Sequence, residues 1–274
     1  MAPSTDDPDF LLDDDLPHIT AYSRRGAGRE HNQDTFAVER HLWIVADGMG
    51  GHEGGKTASA VATATAVSAI HHGEDDLETV IERCHEAVWL TGYFLDQLTM
   101  GSTIVVAVRD EDAGTVQVAW CGDSRAYLVH DGEITRLTTD HNLAQDQVDA
   151  GHITADEAWD HYGQSILTSA LGCGSPDIPT IGLLDTPGQG RLLLCSDGLT
   201  SGLRDEQIAS LLKGDDLTEV ARDLASAAVD AGSTDDTTVV VVDLERELGG
   251  IFRGQEADDA GEPAGDAVPA VGEE

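Results

Sequence analysis

Apolar runs of strand length come in blocks along this chain, and helical runs fall between them in pairs. HITAYSRR, DTFAVER and HLWIVAD open the folded body as short strands. Two helical stretches follow. GKTASAVATATAVSAI is small and apolar almost all round, as in a helix buried between neighbours. DDLETVIERCHEAVWLTGYFL carries acids at its start and apolar residues at helical spacing. STIVVAVRD, TVQVAWCG, RAYLVHDG and EITRLT then read as four strands, with a hairpin turn at HDGE. A mixed helical segment covers 141–162. Strands return at 178–184 and 191–195, helices at 205–212 and 216–231, and TTVVVVDL closes the body. There is no βαβ alternation and no internal repeat. This order predicts an α+β fold in which antiparallel sheets are covered by helix pairs.

Several of these strands begin or end at an acid set among glycines and small residues. Asp34 lies in REHNQDTFAV, Asp47 in WIVADGMGG, Asp123 in VAWCGDSRAY, Asp197 in LLLCSDGL, and Asp235 and Asp236 in AGSTDDTTVVVV. A single acid of this kind ordinarily caps a turn. Five such places in one body argue for more, because strand ends cluster where sheets pack face to face. Carboxylates gathered there repel one another unless a cation binds among them. All-oxygen ligation suits Mg²⁺, Mn²⁺ or Ca²⁺. The glycines after Asp47 let the backbone bend sharply and approach a neighbour closely, and a carboxylate beside such a turn can grip a cation or a proton.

Charge narrows the partners. Asp and Glu number 52 against 15 Lys and Arg, a net charge of −37. Nucleic acid and anionic membrane bind mainly through Lys and Arg, so neither is an expected partner. Lys56 and Lys213 are the only lysines. That balance fits either a surface adapted to concentrated salt or a GC-rich genome. Cys84, Cys121, Cys173 and Cys195 form no CxxC pair and read as free thiols in a reducing compartment. No apolar stretch reaches the ~20 residues of a membrane helix, and the N-terminus lacks a signal-peptide pattern. A cytoplasmic location is expected. Residues 1–17 read as a flexible acidic lead, 18–246 as one domain, and 247–274 as a disordered acidic tail.

RxxNxD, DGMGG, GST, GDSRAY, LTxDH, LTxALG, SDGL and SxDxxT occur in that order between about Ile19 and Asp243. Each is weak alone. Together they resemble the type 2C metal-dependent serine/threonine protein phosphatases. The resemblance implies a four-layer αββα fold, a β-sandwich of two antiparallel sheets flanked by helix pairs. It implies hydrolysis of phosphoserine and phosphothreonine in proteins by a water activated between two Mn²⁺ or Mg²⁺ ions. Asp47 would bridge the two ions and the Gly48 carbonyl would ligate one. Asp197 and Asp235 would hold the first ion, and Asp34 would act on the second, directly or through water. Asp123 matches an acid that helps hold a third, weaker ion in bacterial members. Arg29 would take the substrate phosphate in a forked contact. Residues 142–165 match the bacterial flap. The implied partners are phosphoproteins made by a Ser/Thr kinase, and family members are mostly monomers.

Plainer readings stand beside these. Arg29 could be an ordinary surface arginine, although its motif spacing favours function. Met49 takes the place of a histidine proposed as general acid in animal members. His52 is a candidate for that role, but packing or capping beside the following helix is the plainer reading. Ser102, Thr103, Asp140 and His141 read as structural, and Ser124 and Arg125 as hydrogen-bonding around Asp123. Asp236 replaces a usual Asn, Ser169 a common Arg and Lys56 a common Glu. Two other functions fit the resemblance. One is a catalytically weak relative that binds phosphoprotein without turnover. The other is a phosphatase of an anti-sigma-antagonist type of phosphoprotein, although such relatives usually carry sensor domains.

Overall fold

In the computed structural model, residues 9–12, 18–173 and 179–245 are described, without the side chains of 9–12 and His52. The expected tail 247–274 lies outside these residues. Two antiparallel sheets stack face to face. The first takes the order β1 (Asp9–Leu12), β2 (Ile19–Arg24), β12 (Thr237–Asp243), β11 (Arg191–Cys195), β8 (Arg125–His130) and β9 (Glu133–Arg136). The second runs β10 (Gly182–Pro187), β7 (Thr115–Cys121), β6 (Ile104–Asp110), β4 (Leu42–Met49) and β3 (Asp34–Val38). The short β5 (Gly101–Ser102) pairs with the end of β4.

The continuous apolar strands follow from burial on both faces. In β4 and β6, Trp43, Val45, Val105 and Ala107 point between the sheets, where they meet Ile19, Leu192 and Val240. Their neighbours Ile44, Ala46, Ile104 and Val106 point outward against helices α1 (His52–His71) and α2 (Leu77–Phe94). On the far side, Leu193, Val239 and Val241 pack against Ile208 of α6 (Asp205–Leu211) and Leu224 of α7 (Leu217–Asp230). A strand alternates its side chains between faces, so both faces must be apolar. The small residues of α1 serve the same purpose: Ala58, Ala62 and Ala66 are fully buried and let the helix lie close on the sheet. Asp76 caps α2 by accepting from the N–H groups of Glu78 and Thr79, and Asp216 caps α7 in the same way.

The α+β sandwich matches the expectation, with two local differences. The flexible lead expected over 1–17 contains β1, whose four residues pair in register with Ala21–Arg24. The returning strand falls at Gly182–Pro187 rather than 178–184, because its register is set by pairing to β7.

All four cysteines are free. Cys84, Cys121 and Cys195 are buried, and burial pushes each thiol to about 12. Cys173 is half-buried. No described helix is long and apolar enough to cross a membrane.

Candidate active site

One end of the sandwich gathers the acids. Asp34 begins β3 and Asp47 sits near the end of β4, paired directly across the ladder. Asp123 follows β7, Asp197 follows β11 and opens the short α5 (Asp197–Thr200), and Asp235 precedes β12. Asp47, Asp123, Asp197 and Asp235 line a cleft of about 1040 Å³, together with Arg29, Gly48 and Met49. Asp34 does not line it. It lies 1% exposed beneath the floor, where its Oδ2 accepts from Ser196 Oγ at 2.7 Å. The backbone of His52 opens α1, and its side chain is outside the described residues.

These carboxylates are poorly compensated. Burial and then the charge of Asp236 push Asp34 up to about 8. Burial and then Asp235 push Asp197 to about 6. Burial, followed by Asp34 and Asp197, holds Asp47 well above the carboxylate range. Asp123 is raised by burial, Asp197 and Asp140. The buried Asp34 Oδ1 and Asp197 Oδ1 have no hydrogen-bond partner. Buried acceptors without partners, on groups this reluctant to ionise, fit a bound hard cation. Among the described residues no three His, Cys, Asp or Glu side chains are drawn together tightly enough to hold one ion between them.

Arg29 supplies the positive charge in this arrangement. Its Nη2 lies 2.5 Å from Asp235 Oδ1, and its Nη1 lies 3.7 Å from Asp236 Oδ2. Nη1 also donates to Gln33 Oε1 at 3.0 Å. Burial works against its charge, but Asp235, Asp236, Asp47 and Asp197 outweigh it and raise its pKa. At 35% side-chain exposure the guanidinium remains accessible at the cleft rim.

Glycines 48 and 55 answer a packing demand as well. A Cβ on Gly48 would stand 1.9 Å from the Gly55 carbonyl oxygen, and one on Gly55 would stand 2.7 Å from that of Gly48. The start of α1 therefore presses backbone to backbone on the end of β4. A Cβ on Gly50, at φ 120, would stand 2.6 Å from the Met100 Cα and 2.8 Å from the Thr99 carbonyl oxygen. Close approach is what the glycines provide, and much of it is to the protein itself.

The supporting shell differs in part from the expectation. Thr103 anchors Asp47: its N–H donates to the Asp47 carbonyl at 2.8 Å, and its hydroxyl accepts from the Asp47 N–H at 3.0 Å. Ser124 bonds Thr103 at 2.6 Å rather than Asp123. Arg125 is engaged by Asp140 through a two-point contact of 2.8 and 2.6 Å, not by Asp123. The structural reading of Asp140 and His141 agrees with this, since His141 Nδ1 accepts from the Gly122 N–H. The hydroxyl of Ser169, also on the cleft, accepts from the Thr180 N–H at 2.9 Å. Gln33 and His85 line the cleft and were not anticipated. Gln33 lay inside the RxxNxD motif, next to Asp34. His85 had no signal beyond one polar residue on the apolar face of α2.

Asp236 is a tie between distant loops. It is 1% exposed, and its two oxygens accept from the N–H groups of Gly26 at 2.8 Å and Gln33 at 2.9 Å. An asparagine offers one acceptor and turns an NH₂ toward the other donor. Asp236→Asn is therefore expected to lower unfolding free energy by about 1–2 kcal/mol, measured by urea denaturation. No loss would mean that relief from burying the charge outweighs the second bond.

Residues 142–165 form α3 (Leu143–Asp149), α4 (Ala155–Trp159) and a 3₁₀ turn at Tyr162–Ser165. Arg204, at the start of α6, holds α4 from the side. Its Nη1 donates to Asp156 Oδ1 at 2.8 Å, and its guanidinium carbon lies 4.9 Å from the Trp159 ring centroid. The ion pair is exposed and adds little, so the ring contact dominates at about 0.5–1 kcal/mol. Arg204→Ala should leave global stability within about 1 kcal/mol and speed amide exchange in 154–165 roughly threefold to fivefold. Unchanged exchange there would show that α4 is held by other contacts.

A family profile described as Protein phosphatase 2C matches residues 23–235. The chain is 34% identical over 235 residues to the serine/threonine protein phosphatase PstP of Mycobacterium tuberculosis, covering 82% of this chain and 44% of that protein. It thus spans less than half the length of this mycobacterial relative. It is 33% identical over 248 residues to the serine/threonine phosphatase stp of Listeria monocytogenes, covering 84% of this chain and 96% of that one. Among solved structures, the catalytic domain of PstP in complex with two manganese ions superposes with a TM-score of 0.70 at 32% identity, over 82% of this chain and 96% of that one. With acids, arginine and glycines in the positions described above, the chain belongs to the protein phosphatase 2C family.

Proposed function

We propose that this chain is a metal-dependent protein phosphatase that hydrolyses phosphoserine and phosphothreonine in proteins, the products of a Ser/Thr kinase. The observation that carries this reading is the set of buried, mutually repelling carboxylates on the floor of a cleft with an arginine at its rim. Asp47, Asp197, Asp235 and the Gly48 carbonyl would hold Mn²⁺ or Mg²⁺, with Asp34 beneath and Asp123 to one side. The PstP structure with two manganese ions supports the pairing of this fold with that metal. Such ions supply an acidified water and neutralise charge on phosphoryl oxygens.

The chain's own residues do the rest. With a cation held by Asp235, Arg29 would be free to turn its fork to the phosphate and orient it over the floor. Thr103 fixes Asp47 through its backbone, so the carboxylate keeps its aim. Met49 lines the cleft without a proton to give. Water in the cleft, or another side chain that reaches it, then supplies the proton that the leaving alkoxide takes. The three buried thiols stay protonated near neutral pH and take no part.

The test is hydrolysis of a phosphothreonine peptide with Mn²⁺ and with EDTA, at low and high salt. Turnover that needs the metal is expected, at least a hundredfold above the EDTA rate. A folded protein without turnover in any metal or salt would instead support a phosphoprotein-binding relative.

A further inference from the structure

We propose that the groove between α1 and the open edge of β3 is the seat of the chain's own segment Leu248–Phe252, which adds to β3 as an antiparallel strand. The groove encloses about 430 Å³ and lies between Thr35 and Ala37 of β3 and Ala60, Thr63, Ala64 and Val67 of α1. Its lining is mostly apolar. Thr63 is 3% exposed, and its hydroxyl has no hydrogen-bond partner, an uncommon state for a buried polar group.

The strand beside the groove is also incomplete. Among the described residues β3 pairs with β4 alone. Two bonds fix the phase of that ladder: Gly48 N to Gln33 O, and Glu39 N to Leu42 O. Thr35 and Ala37 therefore bond β4, and Val38 turns its N–H and C=O outward. A strand added there would lie ~4.8 Å away and hang every second side chain on the α1 side, inside the groove. From Ala60 to His71 the groove wall spans about 17 Å along the helix, which matches a strand of about five residues.

The path of the chain selects the occupant. The Leu244 carbonyl accepts from Arg109 Nη1 at 3.3 Å, and the Arg109 N–H donates to the His41 carbonyl. His41 belongs to the β3–β4 turn. Glu39 of the same turn lines the groove and meets His71 at 2.7 Å. Arg109 lies on β6, two strands (~10 Å) from the open edge, and its side chain reaches toward the facing sheet to meet Leu244. The described chain thus ends at the same end of the sandwich as the β3–β4 turn, and residues 245–247 lead on from there. Next come Leu248, Gly249, Gly250, Ile251 and Phe252; Leu, Ile and Phe occur nowhere else in 246–274. In a strand Leu248 and Phe252 share one face and would fill the groove, and Gly250 between them admits close approach to α1. A linker this short gives an effective concentration of order mM, so even weak docking is populated.

The test uses the full chain and two variants. One is the double substitution Leu248→Asp, Phe252→Asp. The other is Ala64→Arg, at an exposed position on α1. Contacts by NMR between the Phe252 ring and the Val67 or Ala64 methyls are expected. The Val38 amide should exchange at least threefold slower in the unsubstituted chain than in either variant. Equal exchange in all three overturns the proposal. Protection lost in the double variant but kept in Ala64→Arg places the segment elsewhere, and overturns it too. Protection that grows with protein concentration assigns the groove to a second copy instead.

Discussion

Asp47→Asn is expected to reduce Mn²⁺-dependent hydrolysis at least a thousandfold, about 4 kcal/mol of transition-state stabilisation. It should also make the cation-free chain more stable than its parent. Both effects come from one carboxylate. Asp47 faces Asp34 across the ladder, and burial together with the charges of Asp34 and Asp197 holds its carboxyl well above the ordinary range. Asparagine keeps the size and the backbone bonds to Thr103 but removes the charge. A cation loses its central ligand, and the cluster loses its most crowded charge. Hydrolysis rates with Mn²⁺ and melting curves in EDTA check the two halves. Activity within tenfold of the parent would remove Asp47 from the chemistry.

Melting temperature in EDTA should fall as pH rises from 4 to 8, and Mn²⁺ should abolish most of that fall. Asp34 and Asp197 hold their protons more tightly folded than unfolded, near 8 and 6 against an ordinary 3.8. The stability linked to those protons is complete below pH 4. It is lost as pH passes through 6 and then 8. A loss of roughly 3 kcal/mol or more follows from two pKa units alone, worth on the order of 10 °C in a chain of this size. The acidic surface of a chain whose net charge is −37 adds its own repulsion at high pH. Concentrated salt screens that surface contribution and leaves the buried one largely intact. The scan therefore belongs in high salt. A flat or rising profile in EDTA would mean that the cluster relaxes on ionisation and is not under strain.

The layered fold was legible because strands buried on both faces read as unbroken apolar runs, and VVAV and VVVV admit little else. Helix pairs were legible from spacing and from capping acids such as Asp76 and Asp216. The strand β1 was not: DFLL sits among acids, and only its pairing with β2 marks it. The acids at strand ends were legible as a group, and the cleft brings four of them together. Their partners were not. Asp236 reaches Gly26 across 210 positions of sequence, and Arg29 reaches Asp235 across 206 (235 minus 29). No local pattern encodes such contacts. The glycines after Asp47 were read as room for an ion, whereas Gly48 and Gly55 also interlock β4 with α1.

The uneven burial of the thiols makes this a single-cysteine protein for a labelling chemist. Three sulfurs lie inside the layers with their protons held to about 12, beyond the reach of a maleimide near neutral pH. Cys173 lies on the cleft wall, half-open to solvent. A fluorophore or spin label added to the unaltered chain would settle there, slowly because that thiol too is raised, and would look directly into the cleft.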